Sequence, residues 1–139
     1  MMLRLVLVSV LALLFAFPAA ARDRIALVIG NAGYQHWPRL ANPGNDARLM
    51  ASTLASLGFK LVGGGAQVDL DKDAFDRVVL EFGREVADAD IAMFYYSGHG
   101  LQVDGTNWLV PVDADELNRK ALAFSLVSAS LDFHGPEIA

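Results

Sequence analysis

The stretch RIALVIGN, residues 24–31, decides the fold because it has the pattern of a buried β-strand near the start of the chain. Its apolar residues run on without the polar alternation of a half-exposed strand, and a glycine closes the run. A continuous apolar strand of this kind is typical of a parallel sheet that helices cover on both faces. We therefore expect the rest of the chain to supply parallel partner strands and covering helices.

The segments that follow alternate between helical and extended patterns. Residues 45–58 form an amphipathic helix pattern that Gly58 ends, and residues 71–87 form another with aspartates at its amino-terminal end. FKLV, at residues 59–62, and ADIAMFYYSG, at residues 89–98, have the composition of strands. This order predicts a three-layer α/β/α fold with a mainly parallel sheet and right-handed crossovers. The stripe of the first helix that we expect to face the sheet consists of Leu49, Met50, Leu54 and Leu57.

The remainder of the chain has the pattern of a hairpin followed by a third helix. Residues 101–112 are predicted to turn back on themselves at Asp104 and Gly105, and residues 117–131 have helical spacing. With 139 residues, the chain has room for one domain with a substantial core. We expect that domain to comprise residues 22–139.

The amino terminus has the pattern of a secretory signal peptide over residues 1–21. Arg4 supplies the positive charge, residues 5–17 form an apolar stretch in which Ser9 is the one polar residue, and three alanines at residues 19–21 give the small-residue cleavage pattern. A membrane anchor is the alternative, but the apolar stretch is shorter than the roughly 20 residues that span a bilayer. We therefore expect an exported protein, periplasmic or extracellular, with no membrane segment after cleavage.

The charge and the cysteine content exclude several classes of function. Arg4 is the only charged residue among residues 1–21, so their removal changes the formal net charge from −5 to −6. An acidic exported domain is a poor candidate for binding nucleic acid or an anionic lipid surface. The absence of cysteine excludes disulfides, thiolate metal sites and, within these residues, a cysteine nucleophile.

SGHG, residues 97–100, follows the third predicted strand and contains the strongest candidate for chemistry. Functional groups in such sheets collect at the carboxyl ends of the strands, and histidine is the side chain that exchanges protons near neutral pH. Gly98 and Gly100 remove side chains on both sides of His99, which would let a substrate approach the backbone and leave amides free for an oxyanion. A loop histidine with only a structural hydrogen bond is the alternative.

Two stretches in combination resemble the amino-terminal half of a caspase-like peptidase domain of the bacterial metacaspase or orthocaspase kind. They are IALVIGNAGY…LANPGNDARLMASTLASLGF and FYYSGHGLQVDGTNWLVPVDA, and the resemblance runs from about Arg24 to about Asp115. It implies a cysteine-type endopeptidase whose partner is a protein or peptide substrate. No cofactor or metal is expected, and the sequence does not support a calcium requirement.

The resemblance also implies roles for four residues. His99 corresponds to the histidine of the catalytic dyad, and the backbone N–H of Gly100 corresponds to a donor of the oxyanion hole. Asp46, in the ND motif, and Ser97, before GHG, correspond to residues that line the primary specificity pocket of metacaspases. A carboxylate and a hydroxyl suit a cationic partner, so the resemblance implies cleavage after arginine or lysine. Without the resemblance, Asp46 would be interpreted as a helix-capping residue beside Asn45.

The catalytic cysteine that the resemblance requires is not among these residues. In caspases it lies about 50 residues after the histidine, whereas Ala139 lies only 40 residues after His99. We therefore expect the nucleophile on a strand beyond Ala139. The alternative is a non-catalytic caspase-like module that binds peptides or proteins. The sequence does not predict an oligomeric state.

Three weaker signals are interpreted as structural. DLDKD, residues 69–73, resembles the start of a calcium loop but lacks the glycine and the glutamate that such a loop needs, so we interpret it as an acidic helix start. GNAG, after the first strand, is not a full dinucleotide-binding motif. His36 and His134 have no partners at metal-ligand spacing and are expected at the surface.

Overall fold

The computed structural model describes residues 23–115 and 126–128, and its centre is a parallel sheet. The strands of this sheet are β1 (Arg24–Gly30), β2 (Lys60–Leu61), β3 (Gln67–Val68) and β4 (Ile91–Ser97). β1 is central, because β4 pairs with its full length while β2 and β3 pair with successive parts of its other edge. Every residue of β1 after Arg24 is buried, which confirms the prediction from its apolar run.

The second predicted strand, residues 59–62, contains only the two residues of β2, and β3, which was not predicted, follows it. β2 ends at Leu61, a 3₁₀ turn spans Val62–Gly64, and β3 begins at Gln67. Gly63 and Gly64 have φ angles of 70° and 78°, a left-handed backbone that glycine adopts without a steric penalty. The two short strands therefore act as one interrupted neighbour of β1.

One helix covers each face of the sheet. α1 (Pro43–Ser56) packs on one set of β1 residues, and α2 (Lys72–Val86) packs on the alternate set. The buried residues of the α1 face are Ala26, Val28, Ala47, Ala51 and Leu54. Those of the α2 face include Ile25, Leu27, Ile29, Phe75, Val78 and Phe82. Successive residues of a strand point to opposite faces, so this division confirms the three-layer fold.

The buried stripe of α1 matches the predicted stripe only in part, because Leu54 is buried and Met50 packs against the same cluster. Leu49 and Leu57 are 70% and 55% exposed. The buried residues of the helix are Pro43, Ala47, Ala51 and Leu54. The helix lies so close to β1 that a Cβ atom built on Gly30 would collide with the carbonyl oxygen of Pro43. Small residues therefore face the sheet, because larger side chains would hold the helix away from it.

α2 begins and ends close to its predicted bounds. Asp71 is the N-cap, and its carboxylate accepts a hydrogen bond from the N–H of Ala74 at 2.8 Å. Asp73 lies in the first turn, where its negative charge interacts favourably with the positive end of the helix dipole. The acidic segment at residues 69–73 is therefore a helix start, as predicted.

A smaller antiparallel sheet follows β4 and contains the predicted hairpin. Its strands are β5 (Gly100–Val103), β6 (Thr106–Leu109) and β7 (Val127–Ser128). Asp104 and Gly105 make the turn with φ angles of 50° and 78°, which match the twist of a two-residue hairpin.

The prediction of a third helix over residues 117–131 is wrong for the two residues of β7. Val127 and Ser128 pair with Leu109 and Trp108 of β6, because the open edge of β6 offers backbone partners that outweigh local helical spacing. The other residues of the predicted helix lie outside the described residues, except Leu126.

The predicted signal peptide, residues 1–21, and His134 lie outside the described residues. The domain bounds at residues 22–139 stay a prediction. Within residues 23–115 and 126–128, the structure contains no helix that is long and apolar enough to cross a membrane.

Candidate active site

The segment after β1 and the turn after β4 meet at the carboxyl edge of the sheet. We call residues 31–42 the β1–α1 loop. The N–H of Asn31 donates to the Ser97 carbonyl at 2.9 Å, which extends the pairing of β1 with β4. The N–H of Leu40 donates to the Ala32 carbonyl at 3.1 Å, so the loop closes on itself. SGHG therefore lies beside a compact loop, where ligands bind in sheets of this kind.

Two polar side chains hold the β1–α1 loop in place. The Asp69 carboxylate accepts two backbone N–H groups at the start of the loop, at 2.8 and 2.7 Å. Asn31 is fully buried and donates to the carbonyls of Leu70 and Val110, while its own carbonyl accepts the Leu70 N–H. A buried amide is stable when it is hydrogen-bonded in this way. The loop is thereby tied both to the start of α2 and to the end of β6.

The β1–α1 loop orients the ring of His99. Nε2 lies 2.7 Å from the carbonyl oxygen of Pro38, and because a carbonyl only accepts, Nε2 carries a proton and donates it. In the neutral ring, Nδ1 is then the basic nitrogen. The ring packs against Tyr34 and Trp37, with centroid distances of 4.6 and 5.7 Å. His99 thus has the fixed orientation that an acid–base catalyst requires.

Two tyrosine hydroxyls hold the backbone of His99. The His99 N–H donates to the hydroxyl oxygen of Tyr34 at 2.7 Å. The Tyr96 hydroxyl donates to the carbonyls of His99 and Val110, at 2.9 and 3.0 Å. The two hydroxyl oxygens lie 3.1 Å apart. Burial raises the pKa of both tyrosines, so both hydroxyls keep their protons at neutral pH.

Gly98 makes room for this tyrosine pair. A Cβ atom built on Gly98 would lie 2.5 Å from the Tyr96 hydroxyl oxygen and 2.6 Å from that of Tyr34. Both distances are shorter than van der Waals contact, so any larger residue would displace the hydroxyls. The prediction that this glycine lets a substrate approach the backbone is therefore wrong, because the protein's own tyrosines fill the space.

The backbone N–H of Gly100, in β5, faces away from the partner strand β6. Gly100 pairs with Leu109 of β6, and the Val110 N–H donates to the His99 carbonyl at 3.1 Å. Hydrogen-bonded and non-hydrogen-bonded pairs alternate along an antiparallel ladder, so Gly100 occupies a position whose N–H does not bond to β6. Gly100 is also exposed. An outward N–H directly after His99 is a suitable donor for an oxyanion.

Ser97 lies on the α1 face of the sheet, and Asp46 is an exposed residue of α1 itself. Ser97 lies two residues after Tyr95, which packs in the α1 cluster, so strand alternation directs both side chains to that face. Asp46 lies in the first turn of α1, which packs on Gly30, the partner of Ser97 in β1. The N-cap of α1 is Asn42, so the alternative interpretation of Asp46 as a capping residue is wrong.

His36 is at the surface, as predicted. Its Nε2 lies 3.4 Å from a carboxylate oxygen of Asp115, and half of its side chain is exposed. Among the residues that the structure describes, no three histidine, aspartate or glutamate side chains come together in an arrangement that could hold a metal ion.

Comparison with known proteins identifies the family. A model of the caspase domain matches residues 23–131, which is more than half of the chain. The chain belongs to the caspase family. This caspase domain is 35% identical over 94 residues to the human protein named mucosa-associated lymphoid tissue lymphoma translocation protein 1, and its mouse homolog matches to the same extent. The match covers 68% of the chain and 11% of each relative's length.

Membership of this family makes the caspase domain a peptidase-type domain in general terms. The structure places His99, Gly100 and Ser97 together at the end of β4, with Asp46 in the helix turn that packs on the neighbouring strand. The catalytic and substrate-binding roles of these residues stay predictions.

Several residues that build the site of this caspase domain were not predictable from side-chain patterns in the sequence. Pro38 contributes only a main-chain carbonyl, which no side-chain pattern reveals. Tyr34 and Tyr96 are 62 residues apart in the sequence and meet only in the fold. One feature of the sequence does point to Asn31. A polar residue directly after a buried strand is itself expected to be buried and to need hydrogen-bond partners.

Proposed function

We propose that this caspase domain is the histidine-bearing part of an exported, metacaspase-type cysteine endopeptidase that cleaves after arginine or lysine. The observation that supports it most is the orientation of His99, whose Nε2 donates to the Pro38 carbonyl, directly before the outward N–H of Gly100. The family membership supports proteolysis. The apolar leader pattern at residues 1–21 supports export.

In this mechanism His99 transfers one proton in each half of the reaction. Its neutral ring takes the proton of a thiol, the thiolate attacks the peptide carbonyl carbon, and the imidazolium gives the proton to the leaving amine nitrogen. Water then attacks the thioester and passes a proton to the ring, which returns it to the departing thiolate. The Pro38 carbonyl stabilises the imidazolium through Nε2–H, a role that a carboxylate performs through Nδ1–H in a Ser-His-Asp triad.

Gly100 has a separate role in this mechanism. As the thiolate attacks, the carbonyl oxygen of the substrate becomes an oxyanion, and the Gly100 N–H donates a hydrogen bond to it. Because this donor belongs to the backbone next to His99, the base and the oxyanion donor are fixed together. Loss of one such donor typically costs about 10²- to 10³-fold in rate.

Asp46 and Ser97 would bind the side chain before the scissile bond. Ser97 lies on the α1 face at the carboxyl edge of the sheet, and Asp46 is exposed in the first turn of the helix that covers this face. A carboxylate with a neighbouring hydroxyl binds a guanidinium or ammonium group through charge-assisted hydrogen bonds. This pair therefore supports a preference for arginine or lysine over aspartate.

The thiol in this mechanism must come from a residue outside these 139, because the chain contains no cysteine. The same observation favours a second candidate function, a non-catalytic caspase-like module that binds peptides or proteins. The two candidates make opposite predictions about turnover.

The test is hydrolysis by the full-length protein of peptides that differ only in the residue before the scissile bond. We expect cleavage after arginine and lysine, and loss of that activity on thiol alkylation. Asp46→Asn should lower kcat/KM for these substrates by about 10-fold or more, since it removes the charge that pairs with the substrate. Asp73→Asn, in the first turn of α2, is the matched control and should not. Binding without cleavage of any peptide would favour the binding module instead.

A further inference from the structure

We propose that Tyr34 and Tyr96 are positioning residues for His99, and that their hydroxyls form a closed hydrogen-bonded ring with its backbone. This proposal rests on the proposed function, because positioning matters for the rate only if His99 transfers protons. Neither tyrosine touches the nucleophile or the substrate in this account. Their contribution is made through the backbone of His99.

The donors and acceptors fix the direction of this ring. His99 N–H donates to the Tyr34 oxygen at 2.7 Å, so that oxygen is an acceptor. The Tyr96 hydroxyl has two carbonyl neighbours, including that of His99 at 2.9 Å, and carbonyls only accept. Tyr96 therefore uses its single proton there, and the Tyr34 hydroxyl must donate to Tyr96 across the 3.1 Å between them. The chain of bonds starts at the N–H of His99 and returns to its C=O.

A ring of this kind restrains His99 from both sides. The N–H and the C=O of the residue are held at once, and the Val110 N–H adds a third bond to the same carbonyl at 3.1 Å. The side chain then reaches Pro38, which lies on the same loop as Tyr34. Tyr34 and Pro38 thus restrain His99 from one loop. The Tyr96 hydroxyl restrains it from β4, and these contacts together fix the geometry of proton transfer.

Burial and shape support the same conclusion. Tyr34 is only 3% exposed, and Gly98 leaves the space that the two hydroxyls occupy. A hydroxyl lost from a buried pair leaves the remaining donors and acceptors unsatisfied, which weakens the whole arrangement. Tyr34→Phe and Tyr96→Phe each remove one oxygen and keep the aromatic ring, so they isolate the hydrogen bonds from the packing.

The test measures the tautomer of His99 by NMR in the full-length protein labelled with ¹⁵N-histidine, where His99→Ala assigns the signal. We expect the unsubstituted protein to show one neutral tautomer, protonated at Nε2. Tyr34→Phe and Tyr96→Phe should each show exchange between two tautomers. Tyr95→Phe is the matched control, because Tyr95 lies on the opposite face of β4, and it should keep the single tautomer. A single tautomer in both Tyr34→Phe and Tyr96→Phe would overturn the proposal.

A second measurement needs no variant that must fold. In the unsubstituted protein, slowly exchanging hydroxyl protons of Tyr34 and Tyr96 should show cross-peaks to the His99 amide proton. Their absence would overturn the closed ring of hydrogen bonds.

Peptide hydrolysis separates this proposal from the proposed function. We expect Tyr34→Phe and Tyr96→Phe to lower kcat by about 10-fold or more with KM changed less than about twofold, as for misplacement of a catalytic group. An unchanged kcat would overturn the positioning role alone. Full activity of His99→Ala would overturn the proposed function instead.

Discussion

At Gly98 the structure leaves no room for a side chain, since a Cβ atom there would lie 2.5 Å from the Tyr96 hydroxyl oxygen. At Gly100, two residues later, the nearest atom to such a Cβ would be the Trp108 carbonyl oxygen at 3.4 Å. Glycine is therefore present on the two sides of His99 for two different physical reasons. The first accommodates a hydroxyl pair, and the second leaves a backbone N–H exposed.

Gly98→Ala should lower the free energy of unfolding by about 1–3 kcal/mol, the usual cost of overpacking a filled site. The added methyl group must displace either tyrosine hydroxyl. Gly100→Ala is the matched control and should change the free energy of unfolding by less than about 0.5 kcal/mol. Denaturant unfolding of both variants measures the difference, and equal effects of the two substitutions would contradict the tyrosine-pair account of Gly98.

The raised pKa of Tyr34 and Tyr96 predicts how stability depends on pH. Burial makes the folded protein hold these protons more tightly than the unfolded chain, in which tyrosine ionises near pH 10. The stabilisation is therefore complete below about pH 10 and is lost as the pH rises through the folded-state values. Between pH 9 and pH 11 the free energy of unfolding should fall for both proteins. The fall should be about 1 kcal/mol smaller for Tyr96→Phe than for the unsubstituted protein. Parallel pH curves for the two proteins would rule this linkage out.

At the level of elements, Asn31 connects three parts of the fold. It follows β1, its side chain bonds both polar backbone groups of Leu70 before α2, and it donates to Val110 after β6 at 3.2 Å. Backbone hydrogen bonds also join these elements at this edge, from the Asp69 N–H to the Gly30 carbonyl and from the Val112 N–H to the Leu70 carbonyl. The buried amide therefore adds to the backbone bond from the Gln35 N–H to the Val112 carbonyl in holding the β1–α1 loop against the hairpin.

Asn31→Ala should lower the free energy of unfolding by about 1–3 kcal/mol, because it leaves the Leu70 N–H without its acceptor. Asn42→Ala is a matched control, since Asn42 is the N-cap of α1 but makes no side-chain capping bond. It should cost less than about 0.5 kcal/mol. Thermal or denaturant unfolding would show the contrast, and equal losses would mean that the Asn31 bonds contribute nothing specific.

The sequence predicts an element correctly when the burial of its own residues determines the spacing of its apolar side chains. The apolar run of β1 and the spacing and cap of α2 are of this kind. Leu49 and Leu57 were mispredicted as buried because the close approach at Gly30 selects alanines over leucines, and that distance exists only in the fold. β7 was mispredicted because its partner, the edge of β6, is remote in sequence.

The candidate site was predictable to a smaller degree. SGHG indicates His99 and its position at the end of a strand, since glycines around a histidine after an apolar run are visible in the sequence. The Pro38 carbonyl and the hydroxyls of Tyr34 and Tyr96 were not predictable, because they reach His99 through a loop whose course depends on Asp69 and Asn31. The orientation of the His99 ring is thus a property of tertiary structure.

For the whole molecule, the three-layer fold brings the β1–α1 loop and the turn after β4 together at one edge of the sheet. The proposed chemistry depends on that contact. The chain spans 11% of the length of the relatives it matches, so substrates and partners of the whole protein remain proposals. The described part nevertheless contains the oriented histidine and the outward N–H that the reaction would need.

The central claim is that His99 transfers protons during peptide hydrolysis. Its most direct test is kcat/KM of the full-length protein on an arginine peptide, compared between His99→Ala and His36→Ala, which changes an exposed histidine of the same β1–α1 loop. The account predicts a loss of at least about 10²-fold for His99→Ala, the scale of a lost acid–base group, and less than about twofold for His36→Ala. Equal activity of both variants would contradict it.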